Sequence, residues 1–449
     1  MKLKEFDKYQ EVELLWLDKI PSDWKVIRIK DIVRKIGSGV TPKGGSEVYV
    51  DRGITFLRSQ NIYDDGLRIE DVSFITNEIN HQMKGSQVRP NDILINITGA
   101  SIGRSCVIPE TLKVANINQH ILFFRFKKDR VAFITKYLKS NYIKEYIYSV
   151  QTGISKEALN MRQAQNFPLL VPPEKEQAII VNFLLNKTTA IDKKILLLET
   201  KINYYKDLCK SLLSETVCKG LNKNVPLKKS GIENISLIPT HWKVKRLKDV
   251  GYLYSGLSGK SGEHFNQDVN GSTKYYIPFT NIASNKYINH EDLHNVIMEE
   301  NERQNRVKKD DLFFLMSSEG FADIGKAALL IEDVQETYLN SFCKGYRITK
   351  KTVVPRYLNY LLKSTAFRDN LILQGKGFTR INLKMEKVSD FEVLIPPVEE
   401  QILIADYLDN KTNTIDDIIM NITKQIKGLR ELRKTLINDV VIGKLKVTV

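Results

Sequence analysis

Apolar residues between Ile191 and Leu212 recur at alternating steps of four and three: Ile191, Ile195, Leu198, Ile202, Tyr205, Cys209 and Leu212. The same steps return from Ile415 through Ile419, Ile422, Ile426, Leu429 and Arg433 to Leu436. This is the heptad spacing of a helix that packs along its length against another helix. A seam of this width can lie on its own domain's core. Two seams in register, each too narrow to bury alone, are expected instead to pair with each other. Between Val26 and Val171 the pattern changes to short apolar runs split by turn residues, such as Ile54–Leu57, Ile93–Ile97 and Ile121–Phe126. These runs have strand length, are β-branched or aromatic, and are bounded by Gly, Asn, Asp and Pro. A helical stretch follows over about 132–150. The order repeats with Tyr276–Phe279, Asp311–Leu315 and Ala327–Ile331, then a helix over about 355–373. Both regions are therefore expected to be mixed α/β domains with twisted, mainly antiparallel strands.

The repetition is visible in the letters as well as in the pattern. Pro172-Pro173-Glu174-Lys175-Glu176-Gln177 opens the first seam-bearing stretch, and Pro396-Pro397-Val398-Glu399-Glu400-Gln401 opens the second. The offset, 396 − 172 = 224, holds without a gap for about fifty positions. A second match, Ile20-Pro21-Ser22-Asp23-Trp24 with Ile238-Pro239-Thr240-His241-Trp242, has an offset of 218. The second strand-rich region is thus six residues longer between its landmarks. Regions that vary between constant helices point to a fixed frame carrying variable readers. Residues 220–231 are polar and basic with Gly and Pro as breakers, which reads as a linker. Residues 1–19 read as a short, partly helical lead-in with Val12, Leu15 and Trp16 on one side. The expected division is 1–19 lead-in, 20–172 first domain, 173–221 first helical region, 222–237 linker, 238–396 second domain and 397–449 second helical region.

The formal net charge of +15 points to a polyanionic partner, DNA or RNA. No run of eighteen apolar residues occurs, so no membrane span is expected. The opening Met1–Phe6 lacks the apolar core of a secretory leader. Cys106, Cys209, Cys218 and Cys343 form no CxxC pair and read as reduced, structural and cytoplasmic. Candidate chemistry is sparse. Ser258-Gly259-Lys260-Ser261 ends like a phosphate-binding loop, but the glycine required at 254 is Tyr254. The Pro-Pro pairs follow Val171 and Ile395, so they lack the amide or acid that would hold a target amino group in a methyltransferase. They mark helix starts, where Pro suits the first turn and Glu suits the dipole. His290 and His294 are spaced i,i+4 without the HExxH motif around them. No catalytic and no metal-binding residue is assigned.

What remains is a set of polar loops at the ends of strands, of the same type and in the same order in both halves. The first half has Arg58-Ser59-Gln60-Asn61, Thr98–Arg104, Asn116–His120 and Thr152–Lys156. The second has Thr280-Asn281, Ser317–Gly320 leading to Gly325-Lys326, Asn340-Ser341 and Gly375–Arg380. Arg and Lys meet phosphate or guanine, Asn and Gln meet adenine, and glycine lets the backbone approach phosphate. The residues expected at DNA are Arg58, Ser59, Asn61, Ser101, Arg104, Gln119 and Lys156 in the first half, and Asn281, Ser317, Lys326, Lys376 and Arg380 in the second. For any one of them a structural turn role is the simpler explanation. Recurrence at the same place in both halves favours function.

Taken together, these pieces resemble the specificity subunit of a type I restriction–modification system. The resemblance rests on the Ile-Pro-x-x-Trp openings, on Asp92-Ile93-Leu94 leading to Ser101-Ile102-Gly103-Arg104, on Asn118-Gln119-His120, and on the two Pro-Pro-x-x-x-Gln helix starts. In the second half Asp311-Leu312-Phe313 leads to Ile324-Gly325-Lys326, while Asn340-Ser341-Phe342 departs from Asn-Gln-His. It covers residues 20–449. The resemblance implies an α+β chain in which two mixed α/β target-recognition domains are joined by two long helical repeats, forming an antiparallel coiled coil with pseudo-twofold symmetry. It also implies that each domain reads half of a split, asymmetric site on double-stranded DNA. A helix over 189–217 would measure ~43 Å at ~1.5 Å per residue, on the order of one DNA turn of about 34–36 Å, and would act as a ruler for an unread spacer. Two methyltransferase subunits would dock on the helices, bind S-adenosylmethionine and flip out an adenine in each half-site. A translocating restriction subunit using ATP and Mg2+ can join them, and this chain would hold none of these cofactors itself. The competing readings are a stand-alone architectural or regulatory DNA-binding protein, and a self-sufficient nuclease or methyltransferase. The first leaves exposed apolar residues beside the seam unexplained, and the second lacks its motifs.

Overall fold

Two helices run far longer than any other element, Glu174–Lys219 with 46 residues and Val398–Val441 with 44. The computed structural model describes residues 2–151, 158–266, 273–299, 301–377 and 380–448. Each long helix is shared between two compact units, one made of residues 1–199 and 423–449 and the other of residues 200–422. Each unit therefore holds one strand-rich domain, the beginning of the helix that follows it and the end of the other helix.

The repeated motifs are the two sides of one joint. Trp24 is buried, and its Nε1 donates to Glu176 Oε2 at 3.2 Å; Trp242 Nε1 donates to Glu400 Oε2 at 3.0 Å. Gln177 Nε2 turns back to donate to the Pro172 carbonyl at 2.8 Å, as Gln401 Nε2 does to Pro396 at 2.7 Å. The proline before each helix needs no hydrogen-bond acceptor, and the acidic first turn suits the positive end of the dipole. The opening of each domain is thus bolted to the start of the long helix that leaves it.

The helices pack antiparallel. In the first unit Asp192 pairs with Arg433 Nε at 2.9 Å and Glu199 with Arg430 at 2.8 Å, so numbers rise on one helix as they fall on the other. Ile195 and Ile426 of the seam are buried there, and in the second unit Ile415 and Ile422 are. The remaining seam positions are half-buried, including Arg433, whose charge at an apolar position is met by Asp192.

Both domains use the same strand order. In the first, Ser105–Val107, Ile93–Asn96, Ile121–Arg125 and Lys35–Ser38 form an antiparallel sheet. A second sheet brings Ala115–Ile117 parallel to Ile54–Leu57. In the second domain Ala327–Leu329, Leu312–Leu315, Cys343–Ile348 and Gly251–Ser255 repeat the antiparallel sheet, and Thr337–Leu339 lies parallel to Thr273–Ile277. The recurrent Asp motif is internal to this sheet. Asp92 accepts two hydrogen bonds from Arg125 at 2.7 and 2.6 Å, and Asp311 accepts two from Arg347 at 2.8 and 2.6 Å. Both aspartates are buried, and a buried carboxylate persists only when it is paired in this way.

Four expectations change. The lead-in is a β-hairpin, with Tyr9–Leu14 pairing Leu17–Pro21 and Trp16 at a φ of 59° in the turn. A short apolar run does not by its period separate helix from strand. The expected linker likewise holds a hairpin, Leu227–Ile232 against Ile235–Pro239. The helix over 132–150 is two, Lys128–Leu138 and Asn141–Val150, because Ser140 ends one and caps the next by accepting from the Ile143 N–H at 3.4 Å. Ser364 likewise stands between Pro355–Lys363 and Thr365–Leu373, but without a side-chain cap, its hydroxyl donating instead to the Leu361 carbonyl at 2.7 Å. Beyond the second long helix, Lys446–Thr448 pairs with Lys2–Lys4 and so draws both segments into the first unit.

The second domain has a fastening to its helix that the repeat does not copy. The Asp409 carboxylate accepts from Tyr360 Oη at 2.6 Å, Tyr287 Oη at 2.7 Å, Arg356 at 3.0 Å and Lys286 Nζ at 3.1 Å. The position 224 residues earlier is Leu185. Burial pushes the Asp409 carboxyl up, but the hydrogen bonds from Tyr287, Tyr360 and Lys286 outweigh it and hold its pKa below the usual carboxylate value. Such a lowered pKa contributes stability that is present above about 3.9, the value in the unfolded chain, and lost as pH falls through the folded value. Asp409→Asn should therefore destabilise the second unit by about 3 kcal/mol at neutral pH. In urea unfolding the deficit should shrink as the pH falls below about 5. A deficit independent of pH would contradict this account.

Candidate nucleic-acid interface

In each domain one tight turn joins the parallel-paired strand to the central strand of the antiparallel sheet. In the first domain the turn is Asn118-Gln119-His120, with Asn118 Oδ1 accepting from the His120 N–H at 3.2 Å. In the second it is Asn340-Ser341-Phe342, with Asn340 Oδ1 accepting from the Phe342 N–H at 3.0 Å. A glycine backs each turn. A Cβ added to Gly39 would sit 1.9 Å from the Asn118 carbonyl oxygen, and one on Gly256 would sit 2.2 Å from that of Asn340. Only glycine permits so close an approach.

What the turns present differs. In the first domain Gln119 is exposed and its amide accepts from the Thr41 hydroxyl, while its Nε2 lies 3.2 Å from His120 Nε2. His120 Nδ1 in turn lies 2.8 Å from the Thr98 hydroxyl. In the second domain Phe342 is exposed, with the Arg380 guanidinium over its ring at 4.9 Å. Arg380 and Lys376 are exposed, and backbone hydrogen bonds at 3.1 and 2.9 Å tie Lys376 to Asn382. Ser317 lies half-buried, paired with Asn382. The first domain has the matching attachment, since the Leu159 N–H donates to Ile97 at 2.9 Å as the Leu383 N–H does to Met316. Lys156, expected on the loop before that attachment, lies outside the described residues.

Several expected contacts belong to the interior instead. Asn61 and Asn281 are 2% and 1% exposed. Asn61 Nδ2 donates to the Arg68 and Asp71 carbonyls, both at 3.0 Å, and its Oδ1 accepts from the Arg58 N–H at 2.9 Å. Asn281 Nδ2 donates to the Asn289 and Asp292 carbonyls at 2.8 and 3.3 Å, and its Oδ1 accepts from the Asn289 N–H at 3.0 Å. Each staples the loop that follows it, so neither is placed to touch DNA. Arg58 is half-buried where that loop begins. Asn96 Nδ2 donates to the Ser59 carbonyl at 2.8 Å and to Ser101 Oγ at 3.1 Å, which ties those two residues to the sheet. Arg104 lies over the Tyr63 ring at 5.0 Å and faces a cleft of about 630 Å³ lined by Asp192, Glu199, Arg430 and Arg433 of the long helices. Its equivalent, Lys326, donates to the Ala283 carbonyl at 2.9 Å and to Asp323 at 2.6 Å. Lys326 is thus tied to neighbouring backbone and Asp323, while Arg104 lies half-buried beside the first unit's helix segments. Thr41 was not expected at the interface, although Gly39-Val40-Thr41 returning as Gly256-Leu257-Ser258 could have signalled it.

Two domains of one fold, each offering the same turn with different side chains, define a frame that carries two readers. A family model described as "Type I restriction modification DNA specificity domain" matches residues 21–204 and again residues 239–428, and the chain belongs to that family. It is a DNA specificity subunit of a type I restriction–modification system with two target-recognition domains. The putative type I restriction enzyme MjaX specificity subunit of Methanocaldococcus jannaschii is 22% identical over 453 residues, covering 99% of each chain. The EcoBI specificity subunit of Escherichia coli is 29% identical over 167 residues, 36% of this chain and 34% of that one. Among solved structures, a chain from "Structural basis underlying complex assembly and conformational transition of the type I R-M system" has a TM-score of 0.73 at 14% identity, covering 95% of this chain and 99% of that one. The HsdS subunit from Thermoanaerobacter tengcongensis has a TM-score of 0.53 at 14% identity, covering 95% and 98%. At that identity the structural likeness concerns the fold.

Proposed function

We propose that each domain reads one half of a split, asymmetric sequence on double-stranded DNA, and that the chain itself catalyses nothing. The observation that carries this is one turn built twice on the same support, with Gln119 and His120 in one copy and Ser341 and Phe342 in the other. Equal scaffolds with unequal contact groups suit two different words. Gln119, Lys376 and Arg380 are the expected contacts, and Lys156 is kept as a candidate on its position in the sequence alone. The net charge of +15 supports a nucleic-acid partner. Among the described residues no helix is long and apolar enough to cross a membrane, and a partner of this kind places the work in the cytoplasm.

Two methyltransferase subunits are the proposed partners on the helices. Leu196 and Met420, 224 residues apart, are both 63% exposed, and Leu208 and Leu432, separated by the same offset, are both 53% exposed. One apolar pattern displayed twice suits two copies of one subunit. Those subunits would bring S-adenosylmethionine and act on an adenine in each half-site. A restriction subunit using ATP and Mg2+ would be a further, separate member. The test is co-expression with the methyltransferase and mapping of adenine methylation by long-read sequencing. A split, asymmetric motif with a fixed gap is expected. A continuous motif would overturn the two-reader account.

A further inference from the structure

The departure of Asn340-Ser341-Phe342 from its counterpart in the first domain has a partner in Arg380. The Phe342 ring is 50% exposed, and the Arg380 guanidinium lies over it at 4.9 Å. A single exposed apolar residue is ordinary and by itself assigns nothing. Here three further features bear on it. The ring is held on a rigid turn, since the Phe342 N–H donates to Asn340 Oδ1, the Asn340 N–H donates to Ile277 at 3.2 Å, and Gly256 backs the Asn340 carbonyl. The arginine is planar and exposed, and among the described residues it lies over the ring and is paired with no carboxylate. The equivalent position in the first domain is His120, held by hydroxyl and amide groups, so the apolar ring is a property of the second reader alone.

In the major groove the thymine 5-methyl group is the one apolar feature on a base edge, and guanine O6 and N7 are the pair of acceptors that fits a guanidinium. We propose that Phe342 is a specificity-determining residue that reads a thymine methyl group in the half-site of the second domain, with Arg380 held by the ring for a neighbouring guanine. This rests on the second domain being a DNA reader. A rigid aromatic ring gives up little conformational freedom on contact, which suits it to such a role.

The test uses the full chain in complex with its methyltransferase subunits, on synthetic duplexes carrying the mapped motif. Each thymine of the second half-site is replaced in turn by deoxyuridine, which removes only the methyl group. One replacement should weaken wild-type binding about fourfold, the factor for one buried methyl-sized group. Phe342→Ala should bind the thymine and deoxyuridine duplexes equally. Arg380→Ala should lose about tenfold or more of its discrimination against replacement of the adjacent G·C pair. Both side chains are exposed, so the unfolding midpoints should stay at the wild-type value and serve as the folding control. The proposal is overturned if wild type is indifferent to every deoxyuridine, if Phe342→Ala keeps the wild-type sensitivity, or if Phe342→Ala weakens motif and scrambled duplexes alike. A wild-type complex that binds the motif no better than scrambled DNA would remove the reading of the domain itself, and this proposal with it.

Discussion

Leu208→Asp combined with Met420→Asp should leave the chain folded and reduce the bound methyltransferase from two copies to one. Both residues lie in the second unit and are exposed, at 53% and 63%, so their replacement takes nothing from a core. If they are covered by a partner, two carboxylates would have to be desolvated at an apolar contact without a counter-charge. Loss of anchors of this kind is worth on the order of 100-fold in affinity. Native mass spectrometry of the co-expressed complex would show the missing copy. The matching pair Leu196→Asp with Leu432→Asp, in the first unit, should give the same stoichiometry, since the repeat places these residues at the equivalent positions. Two bound copies in either double variant would show that the helices' exposed apolar positions are not the docking surface. A single copy together with a lowered unfolding midpoint would point instead to damage within the chain.

Inserting seven residues into both long helices, after Glu199 and after Ile422, should change the gap between the two half-site words and leave the words unchanged. These positions fall at the division between the units. Seven residues preserve the seam, because the apolar positions recur every 3.5 residues. The added length is about 10 Å at ~1.5 Å per residue, or roughly three base pairs at ~3.4 Å each. Three base pairs also turn the duplex by somewhat more than a quarter of a turn of about 10.5 pairs. Methylation is therefore expected to be slower as well as differently spaced. Long-read mapping of the variant gives both quantities. Altered words with an unchanged gap would show that the helices take part in reading, and would end their role as a ruler.

The frame of this protein is legible in one dimension. The seam and the offset of 224 announce the two helices, because a packed helix repeats its apolar contacts at a fixed short period. The Trp and Glu-Gln motifs stand out because each is used twice, and the structure shows them meeting as Trp24 with Glu176 and Trp242 with Glu400. The alternation of strands and turns was enough for the class of domain. It was not enough for the hairpins at 9–21 and 227–239, where too few apolar residues fall in each run for a period to be read.

Which polar residues look outward was decided by tertiary structure alone. Asn61 and Gln119 are both amides in polar loops, yet one is buried with its amide engaged and the other is exposed. An amide serves a fold or a ligand with the same groups, so its letter and its neighbours do not say which. The difference depends on segments distant in sequence closing around it. Thr41 meets Gln119 across 78 residues, and Arg380 reaches Phe342 from the far side of two helices. Local and repeated features, such as heptads, helix starts and offsets, follow from the sequence itself. The proposed reading surface comes from contacts between loops whose sequences differ between the two halves, and only the folded chain brings those loops together.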